Sequence, residues 1–445
     1  MSNLSYAVLG LGKTGASCAR WLFEQGYQVT LHDDRADPPE YTSFKALGLD
    51  IPMYLGAWND EVIAAADHVV VSPGISPNHA IIQSIQMRGQ SLISDLDLFL
   101  MHTAARVLLV TGTNGKSTVV TILGELLASA GFNVRVGGNI GLPALDCLAP
   151  TLDWVVLECS SFTLHYTQQL RSDASMVLNV EPDHLDWHSD FKSYRKDKLR
   201  IYEATQYAIW PETLKPYIRT TSSDNRCDSI VGSDTDHDWC VQPSGQIDYQ
   251  GRCVVNAQVI SKAVQGAHMN IAMACAMAYS AGVPIALMQE VIESFKGLPH
   301  RYEYLGCHAG VDWYDDSKAT NTPAMLAAVQ TAVSHYAESG VVLLLGGQLK
   351  LDDWRSACSI LKGYPVTLIV FGAGREVLSS LFSSIDCPCL EAETLSCAVD
   401  QAWQVAQPGQ AVLLSPGGSS FDEFEHFEAR GQAFQAYLKA KGSQR

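Results

Sequence analysis

Short apolar runs alternate with amphipathic stretches along most of the 445-residue chain. Many of the runs are continuous rather than alternating, which is typical of parallel strands that helices cover on both faces. The pattern therefore predicts an α/β fold with doubly wound sheets. Strands are predicted at residues 6–9, 29–32, 68–72, 107–111, 154–158, 176–179, 341–345, 366–371 and 411–415, and the clearest helices at 15–25, 117–130 and 324–337.

The strand–helix pattern starts afresh at three places, near residues 6, 107 and 311. A chain of this length usually forms two or three domains of roughly 100–200 residues each. We place one boundary near residue 95 and another at the break Gly297-Leu-Pro-His-Arg301. The polar, irregular stretch 218–262 is expected to form β-hairpins or an insert. The predicted domains are residues 1–95, 96–300 and 301–445.

The chain carries 30 Lys and Arg against 47 Asp and Glu, a formal net charge of −17. This balance argues against a broad basic face, so we expect neither nucleic acid nor a membrane as a partner. The first residues enter an apolar strand without a basic segment or a cleavage site, which favours a cytoplasmic protein. Residues 271–288 carry no charge but contain Gly282 and Pro284, a pattern that favours a buried helix over a membrane span.

The string Gly10-Leu-Gly-Lys-Thr-Gly15 follows one predicted strand and opens a predicted helix. Glycines in such a turn let the backbone approach a phosphate at the helix N-terminus. Asp33 and Asp34 end the next strand, where an acid that binds a ribose would stand. Taken alone, this turn indicates NAD and an oxidoreductase. The alternative is a tight strand–helix turn without a ligand.

A second turn, Thr111-Gly-Thr-Asn-Gly-Lys116-Ser117, lies between another predicted strand and helix. Its Gly-Lys-Ser end matches a phosphate-binding loop, in which backbone N–H groups and Lys116 hold phosphates and Ser117 ligates Mg²⁺. Val110 occupies the position of the usual first glycine. Because strand, turn and helix are all in place, we favour an ATP site over a chance match.

Acidic and imidazole groups follow two further strands of the central region. Glu158 ends one strand, and the string Glu181-Pro-Asp-His184-Leu-Asp186-Trp-His188 follows the other. The carboxyl ends of parallel strands form the crevice in which α/β proteins bind ligands, and Mg²⁺ takes few protein ligands beside phosphates and waters. We therefore expect a metal or supporting role for Glu158 and His184, but a solvated loop for Asp186 and His188.

A fourth string, Asp315-Asp316-Ser-Lys318-Ala-Thr320-Asn321, precedes a predicted helix. Its Ser, Thr and Asn side chains suit a helix cap. A lysine and several donors at one helix N-terminus also suit a carboxylate or a phosphate. The residues alone leave both interpretations open.

Together these strings resemble the Mur ligases and the related folylpolyglutamate synthetases, whose ATP loop also begins with Thr. Within this superfamily they resemble most specifically the D-glutamate-adding branch, and the match runs from residue 6 to beyond Phe427. The strings that carry the resemblance are Gly10-Leu-Gly-Lys-Thr-Gly15, Val71-Ser-Pro-Gly-Ile75, Gly137-Gly-Asn-Ile-Gly-Leu-Pro143, Gly297-Leu-Pro-His-Arg301 and Asp315-Asp-Ser-Lys-Ala-Thr-Asn321.

The resemblance implies three α/β domains. These are a Rossmann-like N-terminal domain that holds the UDP part of the acceptor, a central P-loop ATPase-like domain with a doubly wound sheet, and a Rossmann-like C-terminal domain that binds the amino acid. It implies an ATP-dependent ligase of peptidoglycan precursor synthesis that adds D-glutamate to UDP-N-acetylmuramoyl-L-alanine through an acyl phosphate. The implied cofactors are ATP, two Mg²⁺ ions and a carbamylated Lys198, and we expect a monomer that acts on these small molecules.

The resemblance also assigns residues to each ligand. The catalytic residues would be Lys116, His184, Lys198 and Lys318, and the metal ligands Ser117, Glu158, His184 and Lys198. The UDP-substrate site would contain Lys13, Thr14, Asp33, Asp34, Arg35, Ser72, Pro73, Gly74 and Asn139. The ATP site would contain Gly112, Thr113, Asn114, Gly115, Lys116, Ser117, Thr118, Asn270, Arg301 and Asp316. The D-glutamate pocket would contain Thr320, Lys350, Ser420, Phe421 and Phe427.

Two stretches depart from the family's pattern. Gly266-Ala-His-Met-Asn270 lacks or shifts one of the amides that usually stand near adenine, and Asn270 is our candidate for that contact. Gly346-Gly-Gln-Leu-Lys350 stands where a smaller, more polar loop is common, although its lysine keeps its place. The rival hypothesis, an NAD-dependent oxidoreductase based on the Gly10–Gly15 turn, leaves the Gly-Lys-Ser loop unexplained.

Overall fold

The structure is a computed structural model that describes residues 4–218, 227–233, 236–264, 266–349, 354–362, 364–385 and 387–442. The chain forms two compact units. The first comprises Met1–Ala257 with Met269–Ile292, and the second Gln258–His268 with Glu293–Arg445. Two sheets lie in the first unit and one in the second. The sheets are mainly parallel, which confirms the predicted α/β class.

The N-terminal sheet has five parallel strands whose alternate residues pack on opposite faces. Its elements are β1 (Ser5–Leu9), α1 (Lys13–Glu24), β2 (Gln28–Asp33), α2 (Tyr41–Lys45), β3 (Met53–Leu55), α3 (Asp60–Ala65), β4 (His68–Val71), α4 (Ala80–Met87), β5 (Leu92–Ile93) and α5 (Asp95–His102). The strand order is β3-β2-β1-β4-β5. Val8 packs into one hydrophobic cluster, and Ala7 and Leu9 pack into another. Burial on both faces explains the continuous apolar runs.

The central sheet extends from a parallel core into an antiparallel edge. Its elements are β6 (Arg106–Thr111), α6 (Lys116–Ser129), β7 (Val134–Gly138), β8 (Trp154–Glu158), α7 (Ser161–Tyr166), β9 (Ser172–Val177), α8 (Phe191–Leu199), β10 (Thr205–Pro211), β11 (Cys227–Gly232), β12 (Trp239–Val241), β13 (Ile247–Tyr249), β14 (Arg252–Val255), α9 (His268–Ser280) and α10 (Met288–Ser294). The strand order is β14-β13-β12-β11-β10-β9-β6-β8-β7, and β12–β14 pair antiparallel. The hairpins predicted within residues 218–262 are confirmed in their described part.

One predicted strand has different bounds in the structure, whereas the predicted buried helix is confirmed. The strand predicted at residues 176–179 runs from Ser172 to Val177, because its first residues are polar and escape an apolar pattern. Asp173 in that start accepts a hydrogen bond from the Val107 backbone N–H at 2.8 Å. The uncharged stretch forms the buried helix α9 and ends near Gly282, whose φ of +95° suits glycine. In the part of the chain described here, no helix has the length and apolar character needed to cross a membrane.

The sheet of the second unit is parallel except at one edge. Its elements are β15 (Glu303–His308), β16 (Val311–Asp315), α11 (Thr322–His335), β17 (Val341–Gly346), α12 (Arg355–Leu361), β18 (Val366–Phe371), α13 (Arg375–Phe382), β19 (Cys389–Ala392), α14 (Leu395–Val405), β20 (Ala411–Gly417) and α15 (Phe427–Gly442). The strand order is β15-β16-β20-β17-β18-β19, and only β15 and β16 pair antiparallel in this sheet's described strands. Asn321 caps α11 by accepting the Ala324 N–H at 2.9 Å, so the predicted cap is confirmed.

Candidate functional site

The first glycine turn, between β1 and α1, is closed by backbone contacts. Gly10 has φ +91°, and its N–H donates to the His32 carbonyl at 2.7 Å. A Cβ on Gly15 would lie 1.8 Å from the Gly10 oxygen. The Ser72 hydroxyl donates to that same oxygen at 3.0 Å. These glycines are therefore required by packing within the turn, whatever it binds.

Asp33, the acid at the end of β2, holds this turn through its hydrogen bonds. Asp33 is 1% exposed and accepts the Leu11 N–H at 2.7 Å and two hydrogen bonds from the Arg35 guanidinium at 2.7 and 2.8 Å. Burial favours a higher pKa, but the bonds from Arg35 and from backbone N–H groups outweigh it and lower the pKa of Asp33. The other residues predicted for the UDP substrate lie exposed, as Lys13, Asp34, Arg35, Gly74 and Asn139, or partly buried, as Thr14, Ser72 and Pro73.

The second glycine turn places Lys116 at the first position of α6. Gly115 precedes it with φ +84°, a conformation that favours glycine. The Lys116 Nζ donates to the carbonyls of Gly112 and Thr113, each at 2.9 Å, so the side chain curls over the loop. An ammonium group and the free N–H groups of a helix N-terminus together can hold phosphates.

A hydroxyl–carboxylate pair lies beside this loop. The Ser117 Oγ donates to Glu158 Oε2 at 2.7 Å, and the Asn139 amide donates to Glu158 Oε1 at 3.1 Å. Glu158 is 4% exposed. Adjacent hydroxyl and carboxylate oxygens form the kind of donor set that Mg²⁺ prefers. The pair therefore fits the predicted metal, and it brings Asn139 to the same carboxylate.

Two residues that sequence reasoning missed hold the loop in shape. Asn179 Oδ1 accepts the N–H groups of Thr113 and Asn114 at 3.1 and 2.9 Å, and its Nδ2 donates back to the Asn114 carbonyl at 3.0 Å. The Tyr194 hydroxyl lies 2.9 Å from Thr113 Oγ1. Asn179 follows β9 at its carboxyl end, and that position was the available signal.

Asn270, the predicted adenine contact, lies against the same loop. A Cβ added to Gly115 would be 2.5 Å from the Asn270 Nδ2. Since Gly115 immediately precedes Lys116, the side chain of Asn270 lies at the N-terminus of α6. The glycine is thus required both by its positive φ and by this close approach.

Lys198 is buried behind the loop. It is 2% exposed, and its Nζ donates to the Gly112 carbonyl at 2.7 Å, the same oxygen that accepts from Lys116. Its Nζ also lies 4.8 Å from the centre of the Tyr194 ring. Burial and then the charge of Lys116 hold the pKa of Lys198 well below its ordinary value. Burial therefore disfavours the charged form of Lys198 compared with a lysine in water.

Asp197, the residue before Lys198, links helix α8 to helix α7. One Asp197 oxygen lies 2.8 Å from His165 Nδ1 and 3.2 Å from His188 Nδ1, while His188 Nε2 lies 2.9 Å from Ser161 Oγ. Burial opposes the charged form, but these histidines outweigh it and lower the pKa of Asp197 to about 2. The expectation of a solvated loop is wrong for His188, which is 3% exposed because its ring has partners on both sides. Asp186 is exposed as expected.

His184 is exposed and has φ +54°. Its ring packs edge-on against Phe162 at 4.8 Å, and its Nε2 lies 3.5 Å from Asp183 Oδ2. Asp183 is close enough to the loop for its charge to oppose the lowering of the Lys198 pKa. The segment that carries His184 therefore reaches the surroundings of Lys198.

In the second unit, the Gly-Leu-Pro-His-Arg string is held by a hydrogen-bond network. His300 Nδ1 lies 2.7 Å from Asp315 Oδ2, and Glu303 accepts the His300 backbone N–H at 2.8 Å. The Gln435 amide donates to both carboxylates at 3.0 Å. The bond with Asp315 raises the pKa of His300. Among the described residues, the side chains of His300, Glu303 and Asp315 lie close enough together to hold a metal ion. The Gln435 amide, however, already donates to both carboxylates, which indicates a structural network.

Asp316 is buried close to Arg301. Its oxygens accept the Ser415 hydroxyl at 2.8 Å and the Tyr302 N–H at 3.1 Å. Burial raises the pKa of Asp316 to about 7, while the Arg301 charge acts in the opposite direction. The predicted pair of ATP residues is therefore brought together in one place.

Two of the residues predicted for catalysis and for the amino-acid pocket, Lys318 and Phe427, are in contact. Lys318 Nζ lies 3.9 Å from the centre of the Phe427 ring. Ser420 is buried, whereas the neighbouring Phe421 is 70% exposed and Thr320 is partly buried. Lys350 lies outside the described residues.

Three family models match the chain in sequence. They are the Mur ligase MurD-like N-terminal domain at residues 5–94, the Mur ligase middle domain at 110–278, and the Mur ligase glutamate ligase domain at 300–418.

Relatives and solved structures agree with these matches. UDP-N-acetylmuramoylalanine–D-glutamate ligases from Marinobacter nauticus and Escherichia coli K12 are 37% and 36% identical over 455 and 442 residues, covering 99% and 98% of each chain. MurF ligase from Thermotoga maritima in complex with ADP has a TM-score of 0.61 at 15% identity, over 93% of this chain and 95% of that one. At that identity the likeness concerns the fold.

Proposed function

The chain belongs to the Mur ligase family, and we propose that it adds D-glutamate to UDP-N-acetylmuramoyl-L-alanine at the expense of ATP. It is an ATP-dependent ligase of peptidoglycan precursor synthesis. The observation that carries this assignment is the loop at α6, where Lys116 lies over the phosphate-binding turn and Ser117 bonds to Glu158 at 2.7 Å. The oxidoreductase alternative is not supported, because Asp33, the candidate ribose acid, is bonded to Leu11 and Arg35.

In the first half-reaction, the alanyl carboxylate of the acceptor would attack the γ-phosphorus of ATP, giving an acyl phosphate and ADP. Both reactants are anionic, so the protein must offset charge where they meet. Lys116 would turn from the loop carbonyls to the phosphate oxygens, and the N-terminus of α6 would add its N–H groups. Asn270, Arg301 and Asp316 would contact the nucleotide.

The donor set supports two magnesium positions. Ser117 and Glu158 would hold one Mg²⁺, and His184 with a carbamate on Lys198 would hold the other. Bound Mg²⁺ would neutralise phosphate charge during transfer. Burial supports the carbamate, because a neutral amine can attack CO2, forming an N–C bond and releasing a proton. The lysine then becomes an oxygen ligand instead of a further cation.

In the second half-reaction, the amine of D-glutamate would attack the acyl carbon, and phosphate would leave through a tetrahedral intermediate. Lys318 and Thr320 precede α11, and Ser420 and Phe421 follow β20, so they come from neighbouring strand ends. Together with Phe427 and Lys350 they would offer a cation, hydroxyls and a ring to an amino acid with two carboxylates.

For the UDP part we propose the first glycine turn. Lys13 and Thr14 begin α1, and Asp34 and Arg35 lie exposed directly after Asp33. Asn139 lies exposed after β7 of the central sheet, where it donates to Glu158. Ser72, Pro73 and Gly74 follow β4, the neighbour of β1 in the sheet. This strand-end placement supports an anionic ligand at the turn.

We also propose the domain boundaries near residues 95 and 300, supported by three separate sheets. We propose that the enzyme acts in the cytoplasm, since its proposed substrates are nucleotides and an amino acid, and that it acts as a monomer. Sedimentation analysis at working concentration tests the oligomeric state.

The decisive test is ADP release measured across acceptors and amino acids. Release should require both UDP-N-acetylmuramoyl-L-alanine and D-glutamate, because buried donors reject analogues that lack matching groups. L-glutamate and D-glutamine serve as controls for configuration and charge. Equal turnover with L-lysine or meso-diaminopimelate would contradict the proposal, and binding of NADH without ADP release would favour the rival.

A further inference from the structure

Arg430, on α15, is buried and makes its hydrogen bonds to a hydroxyl and two backbone carbonyls. Its side chain is among the largest of the fully buried ones, with 1% exposed. Nε donates to Ser317 Oγ at 2.9 Å, Nη2 to the Ser317 carbonyl at 2.8 Å, and Nη1 to the Gly418 carbonyl at 3.0 Å. Among the ion pairs found in the described chain, none involves this guanidinium, so its hydrogen bonds go to neutral oxygens. The charges of Asp422, Asp315, Asp316 and Glu423 nevertheless act on it and favour its charged form.

The bonded groups belong to loops that carry the proposed amino-acid pocket. Ser317 precedes Lys318, and its hydroxyl also donates to the Phe427 carbonyl at 2.9 Å. Gly418 lies two residues before Ser420. One guanidinium thus connects the residues before α11, the loop after β20 and the start of α15.

A third loop is shaped around the same group. A Cβ on Gly347 would lie 2.9 Å from Arg430 Nη1 and 2.4 Å from the Ser419 carbonyl oxygen. Gln348 and Ser419 exchange backbone hydrogen bonds at 2.9 Å. The loop that leads from β17 toward the proposed Lys350 therefore packs on the loop that Arg430 holds.

Stability alone is a poor reason for this arrangement. Moving a charged group out of water is costly, and apolar side chains of similar size often stabilise a core better. Burial lowers the pKa of Arg430 to about 10, which reflects that cost. A planar group with five donors is, however, well suited to fixing several carbonyls at defined angles.

We propose that Arg430 is a positioning residue for the amino-acid substrate. It fixes the backbone at Ser317 and Gly418 so that Lys318 and Ser420 are held ready for the two carboxylates. The inference deepens the proposed D-glutamate-adding function and rests on it.

The test compares Arg430→Met and Arg430→Lys with Phe434→Leu. Phe434 lies one turn further along α15, is fully buried, and packs near Trp313 rather than on the loops. Steady-state kinetics for each substrate and thermal unfolding are measured for all variants. Arg430→Met should raise KM for D-glutamate by about tenfold or more, the size expected for a lost charge-assisted hydrogen bond. KM for ATP and for the UDP-substrate should stay within about twofold of the wild-type values.

Arg430→Lys keeps the positive charge but loses the planar set of guanidinium donors. Its KM for D-glutamate should therefore lie between those of Arg430→Met and the wild type. Phe434→Leu should lower the unfolding temperature without changing that KM. A rise in KM for D-glutamate of similar size in Phe434→Leu, or none in Arg430→Met, would overturn the inference. If the Arg430 variants do not fold, Ser317→Ala decides, since it removes one acceptor and should give a smaller rise of the same kind; an unchanged KM there would also overturn it.

Failure of the two proposals looks different in this experiment. A wild-type enzyme without D-glutamate-dependent ADP release contradicts the proposed function. An active wild type whose variants keep the normal D-glutamate KM contradicts only the role of Arg430.

Discussion

The two glycine turns of the first unit have the same architecture and different chemistry. Each joins a central parallel strand to a helix, β1 to α1 and β6 to α6, and each has an acid at the end of a neighbouring strand. In the first turn, Asp33 is bonded to Arg35 and to the Leu11 N–H. In the second turn, Glu158 is bonded to the Ser117 hydroxyl. The first acid fixes the backbone of its turn, and the second belongs to the donor set that we propose for a metal ion.

The difference shows why a glycine motif with a following acid is weak evidence for a dinucleotide. The pattern specifies the turn, because glycines are needed for its φ angles and its close packing. Whether the acid is available to a ligand depends on a residue outside the motif, here Arg35, which donates to both oxygens of Asp33. The predictions below test this division between the two turns, beginning with the largest expected effect.

Lys116→Ala should reduce ligation by roughly 100- to 1,000-fold, as expected when a group that offsets transition-state charge is removed. UDP-substrate binding should be unchanged, because Lys116 and the Gly10–Gly15 turn belong to different sheets. Kinetics and calorimetric titration with the UDP-substrate measure the two effects. A variant that also bound the UDP-substrate much more weakly would show that the two turns do not act separately.

Lys198→Ala should lower activity by roughly 100-fold, and acetate should partly restore it by replacing the lost carboxylate-like ligand. Lys196→Ala is the matched control on the same helix, and it should be nearly silent because Lys196 is exposed whereas Lys198 is buried. Mass spectrometry under CO2 would detect the carbamate. Near-normal turnover of Lys198→Ala would contradict a catalytic role for Lys198 beside the second turn.

Gly15→Ala and Gly12→Ala should separate packing from ligand binding in the first turn. A Cβ on Gly15 meets the Gly10 oxygen, so we expect a loss of about 3 kcal/mol of stability, measured by chemical denaturation. A Cβ on Gly12 meets nothing within 4 Å, so stability should persist while UDP-substrate binding weakens. Normal substrate affinity in Gly12→Ala would mean that the turn does not approach a phosphate.

Asp33→Asn should destabilise the protein by about 1–3 kcal/mol at pH 7, because it removes a charged acceptor of four hydrogen bonds. The lowered pKa of Asp33 means that this stabilisation is present above the unfolded value, near 4, and is lost as pH falls through the folded value. Urea denaturation from pH 7 to pH 3 should therefore show the gap between wild type and variant closing in acid.

Asp34→Asn is the control for this experiment. Asp34 is half exposed and lies 3.6 Å from His79, so its loss should change stability by less than about 0.5 kcal/mol. If the stability difference between wild type and Asp33→Asn stayed constant with pH, Asp33 would not hold the turn through its charge.

Patterns local in sequence predicted nine of the strands, the buried α9, the Asn321 cap and both glycine turns. Such features depend on side-chain spacing and backbone angles within a few residues. The burial of His188 was missed, because His188 lies in a loop and its partners Ser161 and Asp197 lie on helices α7 and α8. Arg430 was missed for the same reason, since it lies 113 residues from Ser317.

The sequence by itself therefore determined many of the buried strands and the places where glycine turns meet helices. The tertiary structure alone decided which polar groups remain available for ligands. Asp33 and Glu158 look alike as acids at strand ends, and only their neighbours distinguish them. Lys196 and Lys198 look alike on one helix, but packing leaves the first in water and buries the second. Charge state and donor availability depend on the surroundings that folding brings together.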